Sequence, residues 1–245
     1  MKIKYALHGV DSNPLYSDFW EPVSKIWKIK FDITPILLVV MEEEEFKNRI
    51  FDETYGKVIN IKPVKDVPLH LQAQWIRYWY TINFPNEVSI VSDIDMFPLS
   101  KQYFIEQIEK IEENKYVHLY SNMLPHLPAC YHVAKGETFR RVLRLPDSFE
   151  QSIREMMRYS TDGCITHMGM QLWNLEEKFS SNRINLYPIK HDLVLLNRNG
   201  YRIDRDDWHY NEKLLKQDFY IDCHSLRPYK DHKHEIDKLV RSILG

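Results

Sequence analysis

Two short apolar runs constrain the fold of this chain more than any other feature. Residues 34–41, ending Ile36-Leu37-Leu38-Val39-Val40-Met41, and residues 88–91, Val-Ser-Ile-Val, are rich in β-branched side chains. Neither shows the polar–apolar alternation of a strand with one wet face. Strands buried on both faces belong to mostly parallel sheets covered by helices. Between these runs the periodicity changes. From about Ser17, Phe19, Val23, Ile26 and Trp27 fall on one helical face, with Pro22 where an early turn tolerates it. Over 69–83, Leu71, Trp75, Tyr78 and Ile82 mark a buried helical face, while Gln74 and Arg77 share another. Residues 3–8 alternate weakly as a first strand, with Ile3, Tyr5 and Leu7 on one side. Residues 101–113 read as helix and 116–120 as strand. Residues 135–178 read as mostly helical, broken at Pro146 and at Asp162-Gly163, and 192–196 as one further strand. Strands and helices alternating through the first 120 residues predict an α/β fold with a mostly parallel sheet flanked by helices.

The chain has 245 residues, enough for one large domain with a substantial core. No repeat and no Gly/Ser- or Pro-rich linker divides it. Lys and Arg number 33 against 35 Asp and Glu, a net charge of −2 that excludes a polybasic nucleic-acid binder. With only 7 Gly, and neither GxGxxG nor GxxxxGK[ST], the Gly-rich phosphate loops are missing. Cys130, Cys164 and Cys223 are odd in number and lack zinc spacing, so a reducing compartment is expected. There is no signal-peptide core, and the longest apolar run falls far short of the roughly 20 residues that span a bilayer. The expectation is a soluble, cytoplasmic protein with no transmembrane segment and no nucleic-acid partner. Glu42 to Glu45 read as a solvated helix start.

The chemistry concentrates in Ser92-Asp93-Ile94-Asp95-Met96, where the buried run 88–91 ends in two carboxylates one residue apart. In open α/β sheets, ligands bind at the carboxyl ends of strands. Two acids there repel one another, and burying them unpaired is expensive. A hard divalent cation relieves both problems, and such ions complete their shells with substrate phosphates. Asp93 and Asp95 therefore suggest Mn²⁺- or Mg²⁺-assisted chemistry on a phosphorylated donor. An EF-hand is excluded by Phe97-Pro98-Leu99, and a haloacid-dehalogenase phosphatase by Phe97 where its threonine should stand.

Together these segments resemble the GT-A nucleotide-sugar-dependent glycosyltransferases, including the short standalone enzymes of large DNA viruses and bacteria. Four stretches carry the resemblance: ALHGVDSNPLYSDFW at the start, the Gln/Arg-bearing LQAQWIRYWY, VSDIDMFPL, and DCHSLRPYK near the end. The resemblance implies a Rossmann-like GT-A domain over residues 1–245, with a nucleotide-binding half to about 120 and an acceptor-binding half beyond. It implies transfer from a nucleoside diphosphate sugar, a UDP-sugar in the first place, to a hydroxyl of a glycan or glycoconjugate.

The implied roles follow by position. Asp93 would meet the donor ribose and the metal, Asp95 would be the direct ligand, and His224 the third protein ligand. Asp11, Ser12 and Asn13 would cradle the nucleotide, with Gln74 and Arg77 facing the same crevice. Arg227, or less directly Lys230, would pair with diphosphate oxygens. Tyr131, in PACYHVAKG, would offer a ring to the sugar. Asp162 would act as general base in an inverting enzyme, or orient the acceptor in a retaining one. Two alternatives share the fold: a non-catalytic nucleotide-sugar or glycan-binding module, and a sugar-nucleotide nucleotidyltransferase. The latter lacks its usual Gly-rich basic loop here.

Overall fold

The computed structural model describes residues 1–120, 127–160 and 175–245. Its strands are β1 (Ile3–Val10), β2 (Thr34–Val40), β3 (Lys57–Ile61), β4 (Val88–Val91) and β5 (Met96–Pro98). They continue as β6 (Tyr116–His118), β7 (His132–Lys135), β8 (Leu193–Leu195), β9 (Tyr201–Ile203) and β10 (Tyr220–His224). Seven form one sheet in the order β3-β2-β1-β4-β7-β6-β8. All its pairs are parallel except β4–β7 and β6–β7. A second sheet, β5-β10-β9, pairs β10 antiparallel with β5 and parallel with β9. The expected α/β architecture, a mixed and mostly parallel sheet flanked by helices, is the one observed.

The two apolar runs are β2 and β4, and their lack of alternation has a direct cause. Leu37 and Val39 of β2 enter one core, while Ile36, Leu38 and Val40 enter another on the opposite face. In β1, Ala6 and Val10 face the first core and Leu7 the second, so the weak alternation of residues 3–8 comes from a central strand without a wet side. The first core gathers Phe19, Trp27, Phe31 and Phe104 with Ile236 and Leu239 of the helix Lys233–Leu244. Trp27 packs edge-on against Phe104 at 5.8 Å. The second core takes Leu71, Trp75 and Tyr78 of the helix Leu69–Trp79, with Phe139, Ile153 and Phe179 from three later helices. Each such buried side chain contributes about 1.5–3 kcal/mol. Trp75 also donates to Ser152 Oγ at 2.8 Å, and Tyr78 to Ala129 O at 2.5 Å.

Several expectations shift at their edges. The helix expected from Ser17 begins as a turn, Pro14–Ser17, capped by Asn13, and resumes at Trp20–Lys25 before widening into a π-helical stretch, Ile26–Lys30. The 101–113 helix is likewise π-helical over Gln102–Glu106. The break at Pro146 separates the helices Gly136–Leu143 and Phe149–Tyr159, with Ser148 capping the second. The break at Asp162-Gly163 lies outside the described residues. β3, β5, β7, β9 and β10 are not among the strands expected from the sequence. Among the described residues, no helix is long and apolar enough to cross a membrane.

Candidate active site

The acid pair stands where the two sheets meet. Ser92 N donates to Leu7 O at 3.1 Å, carrying the β1–β4 pairing to the start of the acidic loop. The chain then turns through Asp93–Asp95 into β5, where Met96 lies opposite His224 of β10. Ser225 N donates to Asp95 O at 2.9 Å. Backbone pairing thus fixes the C-terminal histidine against the acidic loop.

Each carboxylate has guanidinium partners. Arg77, nearly buried on the helix Leu69–Trp79, pairs with Asp93 Oδ1. Asp95 is buried, and its Oδ2 lies 2.8 Å from Arg205 Nη2, 3.6 Å from Arg227 Nε and 3.9 Å from His224 Nε2. Burial pushes the Asp95 carboxyl above the ordinary aspartate range, and repulsion from Asp93 adds to it, while His224 and Arg227 pull the other way. Arg205 Nε donates to His224 Nδ1 at 3.2 Å, and Asp204 Oδ1 lies 3.6 Å from the same nitrogen. Arg227 Nη1 donates to the Tyr16 hydroxyl at 2.7 Å. Glu176, buried at the start of the helix Leu175–Asn185, has an unpartnered Oε2. Burial raises its pKa to about 7, with Arg77 opposing and Asp93 contributing.

The structure therefore brings together Asp93, Asp95, Arg77, His224 and Arg227 among the expected residues. Asp11, Ser12 and Asn13 form the loop after β1, but the Asp11 and Asn13 side chains serve the chain itself, and the Ser12 carbonyl accepts from Arg49. Asp11 accepts from Asn13 N at 3.0 Å, and Asn13 from Leu15 N at 3.0 Å. Gln74 lies one turn before Arg77 with a buried, unpartnered Oε1, and its backbone carbonyl accepts from Arg77 Nε. Lys230 is exposed and contacts none of the charged set. Tyr131 requires correction. It is fully buried, edge-on against Phe104 at 4.8 Å, and has no ring face to offer a sugar. Its segment became β7, a strand inside the sheet. Asp162 lies outside the described residues.

Sequence reasoning missed Asp204, Arg205 and Glu176. The first two sit just after β9 in Arg202-Ile203-Asp204-Arg205, whose alternating charges were the available signal. Arg202 on the same strand makes a buried pair with Asp222, 3.0 Å from Oδ1 and 2.8 Å from Oδ2. Tyr120 donates to Asp222 Oδ2 at 2.5 Å. This network fixes β9 against β10 and so places Arg205.

Among the described residues, no three His, Cys, Asp or Glu side chains already stand at mutual ligand spacing. Asp95 Oδ2 and His224 Nε2 do suit a shared ion. Ligands bound to a small divalent cation at about 2.1 Å lie up to about 4.2 Å apart. Their 3.9 Å separation fits that span and is too long for a hydrogen bond. The donor set fits a cation whose remaining positions go to phosphate oxygens and water.

A sheet of this order, with an acid loop at the carboxyl end of a central strand, has the GT-A glycosyltransferase fold. LgtC, solved as a galactosyltransferase with donor and acceptor sugar analogues, is similar with a TM-score of 0.51 and 12% identity, the match covering 100% of this chain and 97% of that one. GlyE of Streptococcus pneumoniae TIGR4 gives 0.53 at 10% identity; the match covers 98% of this chain but only 63% of GlyE. A glycosyltransferase involved in glycosylation of the major capsid of PBCV-1 gives 0.50 at 9% identity, covering 97% of this chain and 100% of that one. No family model matches the sequence. No curated protein matches it either.

Proposed function

We propose that the protein is a glycosyltransferase that moves a sugar from a nucleoside diphosphate sugar, first of all a UDP-sugar, to a hydroxyl of a glycan or glycoconjugate. The whole chain would act as one domain, with a nucleotide-binding half to about residue 120 and an acceptor-binding half beyond it. One observation carries the reading: on this fold, the acid loop after β4 is paired through β5 with the C-terminal His224, and Arg205 and Arg227 converge on Asp95. Its two described cysteines, Cys130 and Cys223, are free and buried, in keeping with work in the cytoplasm.

Asp95 and His224, with Asp93 beside them, would hold Mn²⁺ or Mg²⁺. Such an ion supplies Lewis-acid stabilisation of a departing diphosphate. Arg227 can donate two parallel hydrogen bonds to a diphosphate oxygen pair, a match in geometry that lysine lacks. The Tyr16 hydroxyl, bonded to Arg227 Nη1, restrains that guanidinium before substrate arrives. Arg77 holds Asp93 through its Oδ1, and the second carboxylate oxygen would take ribose or cation. Asp11, Ser12 and Asn13 would wall the nucleotide, with Gln74 lending its buried amide. Asp162 is retained as the group that takes the acceptor proton if transfer inverts, or orients that hydroxyl if it retains.

Thermal shifts with UDP, GDP, CDP and ADP, each with and without Mn²⁺, test the reading. A nucleotide at about 100 times its Kd stabilises by roughly 2.7 kcal/mol. Asp95→Ala is expected to fold and to lose the metal-dependent shift. Wild-type shifts for no nucleotide, or a shift retained by Asp95→Ala, would overturn the assignment. An intact donor after prolonged incubation with metal and varied acceptors would favour a binding module.

A further inference from the structure

His224 has two possible partners at one ring nitrogen, and only one of them leaves the imidazole able to bind a cation. Arg205 Nε–H donates to Nδ1 at 3.2 Å. That bond uses the Nδ1 lone pair, so a neutral ring carries its proton on Nε2. Nε2 is the atom facing Asp95 Oδ2 at 3.9 Å, and while protonated it has no lone pair for a metal. Asp204 Oδ1 waits 3.6 Å from Nδ1. If Nδ1 carries the proton, Asp204 is its acceptor and Nε2 is bare, the arrangement in which a carboxylate orients a metal-binding histidine. Arg205 blocks the second ligand as well, because its Nη2 lies 2.8 Å from Asp95 Oδ2.

Two further observations say what should move Arg205. Its Nη1 is buried with no hydrogen-bond partner, leaving a donor that a diphosphate oxygen would satisfy. The charges also balance before anything binds. Asp93, Asp95, Asp204 and Asp222 face Arg77, Arg202, Arg205 and Arg227, four against four. A divalent cation alone would leave the site with two surplus positive charges, and a nucleoside diphosphate alone with surplus negative ones. Arriving together, they cancel.

We propose that Arg205 is an internal counter-cation that withholds Asp95 and His224 from metal until a nucleoside diphosphate draws its guanidinium away. This rests on the transferase reading above. On release, water delivers a proton to Nδ1, which then hydrogen-bonds to Asp204, while Nε2 gives its own proton to water, so the ring charge is unchanged. Arg205 then contributes its guanidinium to the diphosphate. Metal and nucleotide binding are thereby coupled, and by linkage each strengthens the other equally.

The test is Mn²⁺ titration, followed by the electron paramagnetic resonance of free Mn²⁺, with and without UDP, GDP, CDP or ADP. For the wild type, the matching nucleotide should tighten Mn²⁺ binding at least about tenfold, within the usual range of coupling. Arg205→Ala should bind Mn²⁺ without nucleotide at least about tenfold tighter than wild type and lose most of the coupling. A structural lesion would not tighten binding. Asp204→Asn should weaken Mn²⁺ binding in the presence of nucleotide. Arg205→Lys keeps the charge but lacks Nε–H, and should fall between wild type and Arg205→Ala; it decides the matter if the alanine variant does not fold. Nucleotide-dependent Mn²⁺ binding by wild type, with no tightening in the Arg205 variants, would overturn this gate and leave the transferase site standing. No Mn²⁺ binding with any nucleotide would overturn the site and the gate together.

Discussion

Glu176 shows what burial does to a single carboxyl. Its ordinary pKa of 4.5 rises to about 7 because burial removes the water that would stabilise its charge. Between those two pH values the unfolded chain has lost the proton that the folded chain still holds. Unfolding then releases a proton, so stability falls as pH rises through that window and stays reduced above it. Glu176→Gln removes this penalty. Melting in denaturant should show the variant more stable than wild type by about 3 kcal/mol at pH 8, and by less than about 1 kcal/mol at pH 5. An equal effect at both pH values would place the cause in packing rather than ionisation.

At the scale of elements, the helix Leu69–Trp79 sets Arg77 in place by lying directly on β1. The contact is close enough that a Cβ at Gly9 would sit 2.0 Å from the Ala73 carbonyl oxygen. Gly9→Ala must push the helix off the strand, and overpacking of this kind costs about 1–3 kcal/mol. The expected result is a lower denaturation midpoint with an unchanged m-value, and weaker nucleotide binding because Arg77 and Asp93 separate. Elements of this sort were legible in the sequence. β1, β2, β4 and the helix at 69–79 owe their structure to their own apolar content. β9 and β10 could not be read so, since Tyr201-Arg202-Ile203 and Tyr220-Ile221-Asp222-Cys223-His224 carry charges that only pairing across the fold makes tolerable. The candidate site divides the same way. Asp93 and Asp95 stood out because a buried strand runs into them. Arg205 and Asp204 did not, because their position depends on the Arg202–Asp222 pair. Tyr131 was misread because its residue type suits a platform and a core equally well, and burial alone separates the two.

The whole molecule stores neutral histidines. Burial lowers His8 to about 3, with Arg77 adding to the effect, lowers His118 to about 4, and holds His132 well below the ordinary value. An unfolded histidine binds its proton below about 6.5. Their stabilising effect is therefore complete above that pH and is lost as pH falls from about 6.5 towards 4. With three protons taken up by these rings and about one released by Glu176 on unfolding, stability should drop by about 3 kcal/mol per pH unit near pH 5. Denaturant melts at half-unit steps from pH 7 to 4.5 measure this slope. A slope matching fewer than one proton would mean that these rings are already charged in the native state.

The pairing of β5 with β10 carries a consequence for how the protein is made. Asp95 meets its Arg205 partner 110 residues further along the chain. During synthesis the strand that presents the acids can join the sheet early with Arg77 beside Asp93, but Arg205, His224 and Arg227, which face Asp95, are made 110 residues or more later. A nascent chain must hold the Asp95 carboxylate in water until those groups emerge, and this side of the site closes only once β9 and β10 have formed. Chains released before β10 would carry the seven-stranded sheet with Asp95 uncovered, giving a quality-control protease a clear mark of incompleteness.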